Sequence, residues 1–167
     1  MVRNVVWAVV FALVAALLQS TLLDRLAIYR VVPDLALGII VYSAYVNGTM
    51  TGQLSGFFSG ILLDFLSAAP LGLNAFIRTL VGALAGLMKG TFFLDVFFLP
   101  MILCASATLV KALVIFLLHL LLAGAIPAYS LNSPLLWVEL MLNTLSAPFL
   151  FALLKVFGPL LAGKEDR

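Results

Sequence analysis

Charged side chains are scarce in this chain of 167 residues, because only 10% are Asp, Glu, Lys or Arg while 65% are hydrophobic. Soluble domains carry about 25% charged residues and about 45–50% apolar ones. The polar residues here are too few to coat a soluble surface, so the composition predicts an integral membrane protein with one polytopic domain over residues 1–167. The net charge of +2 is too small to indicate a nucleic-acid partner.

Cysteine and histidine are nearly absent as well, with one of each, Cys104 and His119. A single cysteine excludes an intrachain disulfide, and a lone histidine does not make a metal site. The sequence also lacks a Gly-x-Ser-x-Gly motif, a Walker loop and a His-Glu-x-x-His motif. We therefore expect no metal, no cofactor and no catalytic residues.

Long apolar runs, separated by charges, Gly, Pro and Asn, predict an all-α fold with six transmembrane helices. Strands are disfavoured because the apolar runs are continuous rather than alternating. The second and third runs are short for about 30 Å of hydrocarbon, so we expect them to be shielded inside the bundle or to extend further. The predicted spans are residues 4–23, 34–46, 50–66, 73–89, 96–122 and 135–158.

The distribution of basic residues predicts an N-in/C-in topology. An even number of spans places both ends of the chain on one side of the membrane. Cytoplasmic segments carry an excess of Lys and Arg, and five basic residues fall on the side of the termini against two on the other. The five are Arg3, Lys89, Lys155, Lys164 and Arg167, and the two are Arg25 and Arg30.

Two ladders with a four-residue step occupy the third and fourth spans, and we expect them to pack as an antiparallel hairpin folded about Leu71. Small residues at this spacing let helix backbones approach closely in lipid. Because a step of four drifts about 40° around a helix, only two or three rungs are expected in tight contact. The predicted pairs are Gly52 with Gly90, Gly56 with Gly86, Gly60 with Gly82, and Asp64 with Arg78.

Polar residues within the spans all fall in the outer half of the membrane under this topology. Intramembrane charges are costly and demand partners, so two interpretations stay open. One is structural, with ion pairs Asp64–Arg78 and Lys111–Glu139 that fix helix register. The other is a polar cavity that opens outward and contacts a ligand or a partner. The candidate residues are Asp64, Asn74, Arg78, Lys111, Glu139 and Asn143.

Three segments carry a family resemblance. Pro33-Asp34-Leu35 opens the second span, residues 56–64 read Gly-Phe-Phe-Ser-Gly-Ile-Leu-Leu-Asp, and residues 70–74 read Pro-Leu-Gly-Leu-Asn. This order, together with Gln19-Ser20-Thr21 at the end of the first span, resembles the rod shape-determining protein MreD family across nearly the whole chain.

The resemblance implies a non-enzymatic component of the bacterial inner (cytoplasmic) membrane that works in cell-wall elongation. It implies membrane lipid as surroundings, and as partners the single-span scaffold MreC, the actin-like MreB, and the RodA–class B penicillin-binding protein synthase. It also implies a fold similar to the substrate-binding subunits of energy-coupling-factor vitamin transporters. The resemblance carries over no catalytic residue.

We expect this protein to be a docking platform for an MreC-like helix, using small residues on helix surfaces. The candidate surface consists of Ala8, Ala12 and Ala16 on the first span and Gly38 and Ser43 on the second. The alternative is a vitamin-binding transporter subunit. Such a subunit needs small residues, often alanines, on its first helix, so the alanines of the first span do not exclude it. A third possibility, an enzyme acting on lipid carriers, lacks a visible site.

Overall fold

The computed structural model describes residues 1–21, 31–67, 69–90, 97–122 and 134–162. Within these ranges the chain forms seven helices and their bounds lie within two residues of the predicted spans wherever they can be compared. The short last helix was not predicted. The helices are α1 Val2–Thr21, α2 Leu35–Asn47, α3 Thr49–Leu66, α4 Leu73–Leu87, α5 Phe98–Leu121, α6 Pro134–Val156 and α7 Gly158–Leu161.

Three of these helices, α1, α5 and α6, are long and apolar enough to cross a membrane by length and composition alone. The helices α2 and α4 are also apolar but shorter. Six crossings with the N-in/C-in orientation therefore stay a prediction. The residues Arg25, Arg30, Lys164 and Arg167, on which part of that prediction depends, lie outside the described residues.

The shortest of the six long helices, α2, lies in the centre of the bundle. Residues 36–44 are all buried, and α2 contacts α1, α3, α4, α5 and α6. A helix that is hydrophobic on all sides belongs in an interior. Of the two alternatives for this short span, shielding within the bundle is therefore confirmed.

The helices α3 and α4 form the closest pair, as the glycine ladders predict, but the predicted register is wrong. A Cβ added at Gly52 would overlap the carbonyl oxygen of Gly82, and one added at Gly56 would overlap that of Arg78. A Cβ at Gly86 would overlap the backbone of Thr49. Gly52 therefore lies against Gly82 rather than Gly90, a shift of eight residues along α4, or about two turns.

The loop between these helices explains the shift. The helix ends at Leu66 and Leu73 agree with the predicted spans, but the residues just before α4 turn back along the last turn of α3. The start of α4 therefore lies beside α3, whereas a hairpin folded about Leu71 would place it beyond the end of α3. Gly60 consequently lies against Ala75 and not against Gly82.

Gly90 does not pack against α3. It follows the end of α4 with φ 72°, and a Cβ added there would meet no atom of the described residues within 4 Å. Its role is conformational, because a positive φ of this size favours glycine.

Both ends of the described chain lie at the same end of the bundle, in agreement with the prediction from an even number of spans. We call this the terminal end. There Asn4 Nδ2 donates to Asn47 Oδ1 (2.7 Å), and Asn47 Nδ2 donates to the carbonyl of Leu161 in α7 (2.7 Å). Arg3 donates to the carbonyl of Ala162 (3.4 Å).

Candidate functional site

Opposite the terminal end, Asp34 is the centre of a buried charge network. It precedes α2, and its Oδ1 accepts hydrogen bonds from the Leu37 N–H (2.9 Å) and from Arg78 Nη2 (2.9 Å). Its Oδ2 accepts from Lys111 Nζ (3.1 Å). One carboxylate thus caps its own helix and also binds a cation on α4 and another on α5.

The network continues into α6 through Lys111 and Asn143. Lys111 Nζ lies 2.7 Å from Glu139 Oε1, which confirms the predicted Lys111–Glu139 pair. Asn143 Oδ1 accepts from the backbone N–H of Asp34 (2.6 Å), and Asn143 Nδ2 donates to Thr108 Oγ1 (2.9 Å). Four helices therefore meet at one group of polar side chains.

The two cations and two anions of this network balance formally, and their side chains are largely withdrawn from the surface. The exposed fraction is 7% for Arg78, 8% for Glu139, 13% for Asp34 and 18% for Lys111. Removing one partner of such a group leaves an uncompensated charge at a low-dielectric site. The arrangement can therefore fix helix positions strongly. Among the described residues, Arg78 Nη1 is buried and has no hydrogen-bond partner.

Asp64 does not pair with Arg78, so that predicted ion pair is wrong. Its buried carboxylate instead accepts hydrogen bonds from the backbone N–H groups of Gly72 (2.9 Å), Asn74 (2.9 Å) and Ala75 (3.2 Å). Asn74 Nδ2 also donates to it (3.0 Å). The first N–H groups of a helix have no partner within it, and the returning loop brings those of α4 to Asp64. This acid is a helix cap supplied by the preceding helix.

A small cavity lies beside the network, between α2, α5 and α6. Its volume is about 10 Å³, and its lining includes Asp34, Gly38, Cys104, Thr108 and Asn143. That is close to the space of one water molecule, whereas pockets for drug-sized ligands measure about 300–1,000 Å³. As it stands, this cavity admits water and excludes a vitamin.

Comparison with known proteins identifies the family. A family model described as rod shape-determining protein MreD matches residues 1–157. The chain belongs to the MreD family. No curated protein and no solved structure matches the chain, so the expected similarity to vitamin-transporter subunits stays a prediction. Membership of the MreD family assigns the chain to rod shape determination as a membrane-embedded structural component.

The small-residue surface that was expected to bind a partner in this family member is turned inward. Ala8, Ala12 and Ser43 have 0% exposure, and Ala16 is half-buried against the core. Gly38 is buried against Leu150 of α6. The predicted docking surface is therefore wrong, because these small residues let α1 and α2 approach their neighbours within the bundle.

The residue that sequence reasoning missed is Asp34. It was recognised only as the start of a helix, a role that the structure confirms. A signal was nevertheless present, because the alternating spans place Asp34 at the same membrane end as Arg78 and Lys111. The four charges in the predicted cluster balanced because Asp64 was counted, and Asp34 takes its place.

Proposed function

We propose that this chain is a multi-pass, non-enzymatic component of the bacterial inner membrane that docks a single-span MreC-like scaffold. Through that scaffold it acts indirectly on the RodA–class B penicillin-binding protein synthase. Membership of the MreD family is the observation that carries this proposal.

The distribution of polarity over the bundle supports a packing role. The acids and bases of the charge network bind each other, and Asp64 binds backbone N–H groups. The outer faces of the long helices, by contrast, expose large apolar side chains. Helices associate in lipid through close packing and a few polar contacts, since apolar burial gives little drive there. A surface of this kind offers a partner helix a place to pack.

The outer face of α1 fits a partner helix best. It carries a valine ridge, which we define as Val2, Val6, Val10 and Val14, all exposed at a four-residue spacing. Valine has a stiff χ1, so it loses little rotamer freedom when another helix packs against it. The outer faces of α5 and α6 present mainly Leu, Phe and Met, which have more rotamer freedom to lose. We therefore place the MreC-like helix on the valine ridge.

Site-directed cross-linking tests this placement. In a Cys104→Ala background, a cysteine at Val6 or Val10 is expected to cross-link to a co-expressed MreC-like helix that carries a matching cysteine. The matched control is Leu113→Cys. Leu113 is exposed on α5, and α2 lies between α5 and α1. Val10→Trp should abolish co-purification of the scaffold, while Leu113→Trp should leave it unchanged.

Two results would contradict the proposal at different levels. Cross-linking from Leu113→Cys but not from the valine ridge would move the docking site to another face and leave the platform function standing. Tight vitamin binding together with co-purification of nucleotide-hydrolysing subunits, and no capture of the scaffold, would replace the platform function by that of a transporter subunit.

A further inference from the structure

The α5–α6 pair meets α2 along a boundary, which we call the seam, that differs in kind from the α3–α4 contact. In the α3–α4 pair, glycine brings backbone directly against backbone. The small cavity lies in the seam, among the small residues Gly38, Cys104, Ala107 and Ala147. The packing across the seam is therefore incomplete where the α3–α4 packing is tight.

Polar contacts close the seam at one end. Asp34 accepts from Lys111 of α5 (3.1 Å), and its backbone N–H donates to Asn143 of α6 (2.6 Å). Because burial of apolar side chains gives little drive between helices in lipid, these contacts carry a large share of the closure. On the side of the terminal end, Phe157, which directly follows α6, packs against Phe11 in the middle of α1 with ring centroids 5.2 Å apart. This contact ties the end of α6 to α1.

We propose that the α5–α6 pair opens from α2 as a unit, with its hinge at the terminal end and with Asp34 as the clasp. In the closed form that the structure shows, Asp34 holds α5 and α6 against α2. Loss of the Asp34 charge shifts the population toward the open form, while the α3–α4 pair stays closed.

The native cysteine reports directly on this motion. Cys104 lines the seam cavity and is the sole cysteine of the chain, so the reagent has one target. The full-length protein in native membranes is treated with N-ethylmaleimide, which is too large for a cavity of about 10 Å³. Asp34→Asn keeps an oxygen that caps α2 but removes the charge. It is expected to raise the labelling rate of Cys104 about tenfold, which corresponds to about 1.4 kcal/mol in favour of opening.

A matched thiol in the α3–α4 pair separates opening of the seam from general unfolding. Ser59 is buried on α3, and Ser59→Cys in a Cys104→Ala background is nearly isosteric. Asp34→Asn should leave labelling of this thiol unchanged. Equal labelling of Cys104 with and without Asp34→Asn would overturn the proposal, and so would an equal rise at the Ser59→Cys thiol.

A disulfide across the seam provides a second measurement with the opposite sign. A Cβ added at Gly38 lies 3.8 Å from Cys104 Sγ. It would overlap the terminal Cδ2 of Leu150, the end of a flexible side chain that has to shift to make room for it. Gly38→Cys should therefore form a disulfide with Cys104 under mild oxidation, and adding Asp34→Asn should slow that reaction. Faster labelling with unchanged disulfide formation would indicate altered thiol chemistry and would count against opening.

Discussion

Charge balance in the network can be tested by removing Lys111 and Glu139 singly and together. Lys111→Met leaves the network with a formal charge of −1, and Glu139→Gln leaves it with +1. The double variant is neutral again and retains the Arg78–Asp34 pair at 2.9 Å. Removing one partner of a buried pair costs about 3–5 kcal/mol, because the other charge stays buried and unpaired. The cost of Glu139→Gln should fall within this range, because the Glu139 side chain is only 8% exposed. The cost of Lys111→Met should fall nearer the lower end, because the Lys111 side chain is 18% exposed.

The double variant should be more stable than either single variant, which means a coupling energy of about 1–3 kcal/mol. The assay is thermal unfolding of the purified protein in lipid nanodiscs, and the measured quantity is the fraction of protein that remains monodisperse. Lys155→Met, an exposed residue at the end of the same α6, serves as the control and should leave the transition unchanged. Strictly additive losses from Lys111→Met and Glu139→Gln would refute the reasoning, because they would show that the two charges do not compensate each other.

Three further predictions are tested by the same unfolding assay, by recovery of folded protein, or by protease sensitivity. Asp64→Ala leaves the first N–H groups of α4 without their acceptor and should cost about 1–3 kcal/mol, whereas an unchanged transition would show that water replaces the carboxylate. Gly82→Leu should prevent folding because its side chain would meet the backbone of α3. Gly158→Ala should fold normally, because a Cβ at this position meets no atom of the described part of the chain within 4 Å. Asn47→Ala removes the donor to the Leu161 carbonyl and should make the C-terminus more sensitive to protease in membranes. Equal cleavage rates for this variant and the unsubstituted protein would contradict the prediction.

The sequence was a good guide to the helices because their signals are local. Apolar runs, Pro33-Asp34 and Pro134 mark helix limits through chain geometry and capping, which act within a few residues. Pairing of α3 with α4 also followed from the glycine spacing. The glycine spacing did not determine the register of α3 against α4. That register depends on how far the loop after Leu66 returns along α3, and several loop shapes are compatible with the same spacing.

The partners of the charges were harder to predict for a related reason. Lys111 and Glu139 lie on consecutive helices, and their pairing follows from simple antiparallel packing. Arg78 pairs with Asp34, two helices earlier, because α2 lies in the centre of the bundle. The shortness of the second span indicated a shielded position, but the third span is short as well, so the sequence did not single out α2 as the central helix. The same central position turned the alanines of α1 inward. A sequence shows that small residues mediate close packing but not which neighbour they pack against.

The charge network is better understood as a source of specificity than of stability. Replacing a buried ion pair by apolar residues often leaves stability unchanged or raises it, so stability alone does not explain four charges at this position. Apolar helices in lipid have many alternative packings of similar energy, since every face of Leu, Val and Phe suits lipid and protein alike. An arrangement that separates Asp34 from Arg78 and Lys111 leaves buried charges unpaired, and this penalty excludes the alternatives. We expect a variant in which all four charged residues are replaced by apolar ones to fold, but with α5 and α6 in more than one arrangement. In that variant, Gly38→Cys and the native Cys104 should no longer form a single defined disulfide.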